Sequence, residues 1–183
     1  MSKTALVLGG TGDIGQAIVN SLHESNYVVT AVGSKDLDLT RKESVESFIS
    51  KKSFDILIHS AGVNVIGPFE QRSVTDIELA IQANLMGFLQ IVHKLIPYWK
   101  QNNYGRIVVI SSLYGFTARK GRIPYVISKH ALLGAVKTLA LELAPYGVIT
   151  NAVSPGYIQT KMTTKNNSTE TIKQLILIVE RIL

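Results

Sequence analysis

The 183-residue sequence predicts a three-layer α/β fold, a doubly wound parallel sheet with helices on both faces. Three observations carry this. Short apolar runs rich in β-branched residues alternate with stretches of helical period along most of the chain. The strand candidates are apolar almost throughout, as in a sheet buried on both sides. A glycine cluster follows the first of them directly.

Taken in order, Thr4–Leu8 (TALVL) reads as a strand. Residues 14–24 read as a helix, with Ile14, Ala17, Ile18 and Leu22 on one face. Residues 27–32 (YVVTAV) form a second strand, and 41–51 a helix with Val45, Phe48 and Ile49 in phase. Ile56–His59 is a third strand. A long helical region over 74–100 follows, which Pro97 is expected to end or kink. Residues 107–111 (IVVIS) are a strand, and 124–144 a helix with proline at its start, where a missing N–H does no harm. Residues 148–154 are the last strand, and the apolar segment 170–183 reads as a short helix. In such sheets ligands sit beyond the carboxyl ends of the strands.

Composition narrows the function classes. The chain is 46% hydrophobic and 17% charged, as a globular protein is. It holds no cysteine, which excludes disulfides, thiolate metal sites and a cysteine nucleophile. His23, His59, His93 and His130 show no ligand spacing, so no metal is expected. The net charge of +6 attracts anions, but the basic residues are scattered in small groups at Arg41 and Lys42, Lys51 and Lys52, and Arg119, Lys120 and Arg122. No nucleic-acid module accompanies them, so nucleic acid is not an expected partner. The first residues are too short a run for a signal peptide, and no apolar stretch of about 18 residues is read anywhere. The expected location is the cytoplasm, without membrane attachment.

After the first strand comes Gly9, Gly10, Thr11, Gly12, Asp13, Ile14 and Gly15, opening a helix. Glycines there permit a sharp turn, close approach of a pyrophosphate and tight helix–sheet packing. The helix N-terminus offers free N–H groups to phosphates. No Gly-Lys-Ser/Thr follows, so this is not a triphosphate-binding loop. The competing reading is a tight structural turn.

Tyr125 and Lys129 lie four apart on one helix face. A nearby ammonium favours the phenolate and lowers a tyrosine pKa, which suits a proton donor and acceptor near neutral pH. The pair does not stand alone. His59, Ser60, Ala61 and Gly62 follow the third strand; Asn84 lies in Ala83-Asn84-Leu85-Met86-Gly87; Gly105 to Ser112 end a strand on two serines; and Ser154, Pro155 and Gly156 lead to Ile158 and Thr160. In this order and spacing, residues 3–162 resemble the short-chain dehydrogenase/reductase family, within it the 3-oxoacyl-acyl-carrier-protein reductases.

That resemblance implies a Rossmann-like single domain over 1–183, with a family-like core over 1–162 and a shortened segment over 163–183. It implies that Ser112 binds the substrate carbonyl, with Ser111 pointing the other way. It makes Tyr125 the proton donor, has Lys129 bind the cofactor ribose, and has Asn84 hold a water linking Lys129 to solvent. The implied cofactor contacts are Gly9, Thr11, Gly12, Asp13, Ile14 and Gly15 in the loop; Ser34, Lys35, Asp38 and Leu39 after the second strand; Ser60, Ala61 and Gly62 after the third; and Tyr125, Lys129, Pro155, Gly156, Ile158 and Thr160. Ser34 and Lys35 stand where an acidic residue would select NAD, so NADP(H) is favoured and NAD(H) is the alternative. Family members pair the helix over 124–144 and the Asn84 helix across a two-fold axis, which implies a homodimer or homotetramer.

Three departures stand out. Asp13 replaces a common glycine, and His59 and Ser60 replace two asparagines, with His59 read as structural. The C-terminal region is short, so a final strand and most of the substrate lid are expected to be missing, leaving an open sheet edge. The leading reading is a reductase of a small ketone or 3-oxoacyl thioester; Arg119, Lys120 and Arg122 at the mouth read either as a site attracting an acidic carrier or a coenzyme A thioester, or equally as a solvated loop. The alternatives are a chain that binds dinucleotide or pairs with subunits without turnover, and an epimerase or dehydratase that shares the Tyr–Lys pair.

Overall fold

A computed structural model describes residues 2–168 and 170. Strand β1 is Thr4–Leu8, followed by helix α1 (Asp13–Glu24) and β2 (Val28–Val32). Helix α2 (Lys42–Ile49) leads to β3 (Ile56–His59). Helices α3 (Val74–Ile81) and α4 (Gly87–Asn102) are joined by a wide π turn at Gln82–Met86. Then come β4 (Gly105–Ile110), α5 (Ile123–Leu143), β5 (Val148–Val153) and α6 (Lys161–Asn166). All four strand pairings are parallel, in the order β2-β1-β3-β4-β5. The order reverses between β1 and β3, so the binding crevice belongs above those two strands.

Side chains alternate across the sheet. Leu6, Leu8, Leu57, Ile107 and Val109 face α2, α4 and α5, where they meet Val45, Phe88, Ile91, Leu95, Trp99 and Leu132. Ala5, Val7, Ile56 and Ile58 face α1 through Val19. Trp99 is fully buried and donates its indole N–H to the Phe54 carbonyl at 2.7 Å, which satisfies its one polar group. Among the described residues, α1 is the only helix on the second face. Ile149 and Val153 of β5 are about half exposed there, and β5 is the sheet's edge. The helix expected over 170–183 lies outside the described residues, apart from Glu170.

Two expectations are refined. Of the end or kink expected at Pro97, the end does not occur, since helix α4 runs on to Asn102. Pro97 and His93 both lie on the exposed face, where water can serve the His93 carbonyl that loses its partner. The stretch Val74–Asn102 does contain an 18-residue window apolar enough to cross a membrane, with a mean hydropathy of 1.3. Core packing accounts for it, since Phe88, Ile91, Leu95 and Trp99 of that stretch are buried against the sheet.

Candidate active site

The β1–α1 turn is shaped by steric need. Gly9 has φ of +76°, a region L side chains rarely enter, and a Cβ there would stand 2.6 Å from the Ala61 nitrogen. The turn is thereby packed against the segment that leaves β3. Gly12 caps α1 without any side chain bonding to the first-turn N–H groups, so the donors of Asp13, Ile14 and Gly15 remain open to an anion. Asp13 is turned elsewhere. Its carboxylate accepts from the Lys161 backbone N–H at 2.6 Å, and the Lys161 ammonium lies 3.8 Å away. The residue in the glycine's place thus ties α1 to the start of α6.

A cleft of about 340 Å³ opens beside this turn, above β1 and β3. Of the residues expected at a cofactor, Gly9, Thr11, Gly12, Ser34, Asp38, Leu39, Ser60, Ala61 and Gly62 line it. Ile14, Gly15, Asp13, Pro155, Gly156, Ile158 and Thr160 line two adjoining hollows that share Ser60 and Met162 with it. Lys35 is exposed and lines none of these hollows. The Asp38 carboxylate accepts from the backbone N–H and hydroxyl of Thr40 at 2.9 and 2.6 Å, which holds it below the usual carboxylate range. Asp36, the other acidic residue close after β2, accepts from the Gly33 N–H at 2.9 Å and closes the turn there. The cleft, the open helix donors and the glycine cradle fit a dinucleotide.

Ser112, Tyr125 and Lys129 meet at the hollow that joins this cleft. The Ser112 side chain caps a short helical turn by accepting from the Tyr114 N–H at 3.2 Å. Ser111 points to the other side, its hydroxyl 3.4 Å from the Lys129 carbonyl. Burial raises the Tyr125 pKa, while hydrogen bonding to Ser112 and the nearby Arg122 charge oppose this. This corrects the sequence expectation of a lowered value. The Lys129 ammonium lies 5.5 Å from the centre of the Tyr125 ring and donates to the Ile110 carbonyl at 2.8 Å. Desolvation brings Lys129 itself down to about 8.

The π turn buries Asn84 completely. Its amide donates to the Val63 carbonyl at 3.0 Å and the Ser128 hydroxyl at 2.9 Å, and accepts from the Val63 N–H at 2.7 Å. Its backbone carbonyl lies 2.8 Å from His59 Nε2. His59 is stacked on Phe88 at 4.9 Å and held neutral, its pKa pushed to about 3 by burial and by Lys129. Asn84 therefore braces the loop after β3 against α5.

Sequence reasoning missed the far wall of the site. Arg119 donates to the Tyr157 hydroxyl at 2.6 Å and the Tyr114 hydroxyl at 3.3 Å, and those two hydroxyls are themselves hydrogen-bonded. Lys120 is exposed, but Arg122 is buried. The three are thus not one surface cluster, because the turn into α5 directs Arg122 inward. Met162 lines all the hollows described. Nothing in a single sequence marks either residue, since both depend on how the segment after β5 folds back.

Comparison with known proteins agrees with this geometry. The family described as short chain dehydrogenase matches residues 35–171. The 3-oxoacyl-(acyl-carrier-protein) reductase FabG of Rickettsia felis is 33% identical over 199 residues, covering 98% of this chain and 81% of that protein. The structure of 4-hydroxyisoleucine dehydrogenase complexed with NADH superposes with a TM-score of 0.89 at 27% identity, covering 96% of this chain and 82% of the other. A Tyr-to-Phe variant of ElxO with NADPH bound gives 0.84 at 25% identity, covering 95% and 83%. The chain belongs to the short chain dehydrogenase family and is an oxidoreductase that moves hydride between a nicotinamide cofactor and a carbonyl or alcohol substrate.

Proposed function

We propose that the chain interconverts a ketone, either a small one or a 3-oxoacyl thioester, and its secondary alcohol, with Tyr125 as proton donor and acceptor. The convergence of Ser112, Tyr125 and Lys129 on one hollow that opens into the dinucleotide cleft carries this reading. Ser112 Oγ holds the carbonyl oxygen, and Tyr125 Oη delivers the proton to it. When bound, the nicotinamide supplies or accepts the hydride. Lys129 keeps donors beyond the one spent on Ile110, and these hold the cofactor ribose. Asn84 is a positioning residue that keeps Ser128, and with it the Tyr125 turn of α5, in place. A chain that binds dinucleotide without turnover is not favoured, since the family relation and the intact Ser–Tyr–Lys set both point to chemistry.

The proposed cofactor is NADP(H). Val32, Gly33 and Ser34 line the β2 end of the cleft, and the carboxylate that also lines it, Asp38, is engaged with Thr40. The Thr11 and Ser34 hydroxyls suit a 2′-phosphate, and Lys35 stands next in the chain. The assembly proposed is a homodimer or homotetramer in the cytoplasm. It is supported by the half-exposed Ile127 and the exposed Leu141 on α5, and by the half-exposed Ile149 and Val153 of β5. Sedimentation as a monomer at micromolar concentration would remove that assembly.

Fluorescence titration of the chain with NADPH and NADH tests the cofactor reading. NADPH is expected to bind about tenfold or more tightly, a difference of about 1.4 kcal/mol. Tighter binding of NADH overturns the preference, and binding of neither overturns the enzymatic reading for this chain.

A further inference from the structure

We infer that Arg122 is a specificity residue that takes the carboxylate of a short oxo acid or hydroxy acid whose carbonyl or alcohol meets Tyr125. This rests on the proposed reduction at Tyr125 and narrows its substrate class. Arg122 is 5% exposed, in the turn before α5, and its carbonyl accepts the Val126 N–H at 2.9 Å. It lines a cavity of about 80 Å³ together with Asn64, Ser112, Tyr125 and Tyr157. A guanidinium stays charged at any working pH, and a buried one is costly unless an anion meets it.

No such anion is present among the described residues. The cavity lining contains no Asp or Glu, and neither Arg119 nor Arg122 forms an ion pair. Arg119 is engaged by the hydroxyls of Tyr114 and Tyr157, whereas the Arg122 guanidinium makes no hydrogen bond to described residues. The Oδ1 atom of Asn64, on the same cavity wall, is buried without a partner. The amide oxygen and nitrogen are interchangeable by rotation, so Asn64 can turn its NH₂ to the same anion. An unpaired cation and an unpaired amide thus border the same small cavity as the proton donor.

Arg122 is the N-cap residue of α5, three residues before Tyr125, and both side chains border the same cavity of about 80 Å³. A cavity that small suits a short acid whose carboxylate lies one or two carbons from the reacting carbonyl, bound by the guanidinium in two-pronged fashion. A thioester or ester of the same acid has no charge at that point. Arg122, being buried, is also out of reach of an acidic carrier's surface, which leaves Lys120 as the exposed member of the sequence cluster.

The test is calorimetric titration of the full chain with acetoacetate and with its ethyl ester, followed by turnover of both. Acetoacetate is expected to bind about thirtyfold or more tightly than the ester. Arg122→Met is expected to abolish that preference, and Arg122→Lys to restore part of it. Equal binding of acid and ester to the unmodified chain, including binding of neither, overturns the assignment even where the methionine variant fails to fold. A folded Arg122→Met that keeps the preference also overturns it. Arg122-dependent binding of the acid with no turnover of either compound sustains the carboxylate site and instead removes the proposed reduction.

Discussion

Replacing Tyr125 with phenylalanine lowers kcat by about 10²- to 10⁴-fold, the usual worth of a positioned general acid, and leaves cofactor affinity within a few fold. The change removes a hydroxyl and little else. The ring remains on α5, its edge still meets Tyr114 at 6.4 Å between centroids, and Lys129 stays bonded to Ile110. The two directions of reaction should respond to pH in opposite senses. Because burial raises the Tyr125 pKa, the phenol is protonated at neutral pH, which is the form that donates in reduction. Oxidation needs the phenolate, so its rate should climb with pH across the neutral and mildly alkaline range while the reduction rate does not. Stopped-flow rates in both directions from pH 6 to 9, compared with the phenylalanine variant, read this directly. A variant within tenfold of the parent, or oxidation independent of pH, removes Tyr125 from the chemistry.

The strands and the ligand-facing loops were legible because their signals are local. Apolar runs of β-branched residues marked β1 and β3 to the residue, and the glycine cluster marked the turn that Gly9 makes with positive φ. Signals that depend on tertiary placement were misread. Pro97 reads as an end or a kink of a helix over 74–100, yet its cost depends on whether the orphaned carbonyl faces water, and in α4 it does. The four-residue spacing of Tyr125 and Lys129 puts them on one face, but the ammonium's partner, Ile110, comes from β4. Arg122 looks like one of three surface charges, and only the fold shows that it is buried, lining a cavity with Tyr157 and Met162. Asp13 in place of a common glycine reads as one more cofactor contact, whereas its carboxylate faces Lys161 and leaves the helix donors open.

Two glycines of that loop do different jobs, and two alanine substitutions should separate them. At Gly15 a methyl group would collide with the Gly9 carbonyl oxygen and come within 2.8 Å of the Gly9 carbonyl carbon, all backbone that cannot move without opening the turn. Gly15→Ala is therefore expected to cost about 1–3 kcal/mol of stability, as overpacking does, and also to lower nicotinamide cofactor affinity by tenfold or more. At Gly12, φ is −81°, which any residue adopts, and the nearest atom to an added methyl is the Gly9 oxygen at 3.4 Å. Gly12→Ala should then leave the thermal midpoint nearly unchanged. It should still lose cofactor affinity, because the methyl stands where the pyrophosphate approaches the start of α1. Thermal unfolding and NADPH titration of both variants separate packing from phosphate access. If Gly12→Ala binds cofactor as well as the parent, the pyrophosphate does not lie over Gly12. The open N–H groups of Asp13, Ile14 and Gly15 would then be a helix end left to water rather than an anion site.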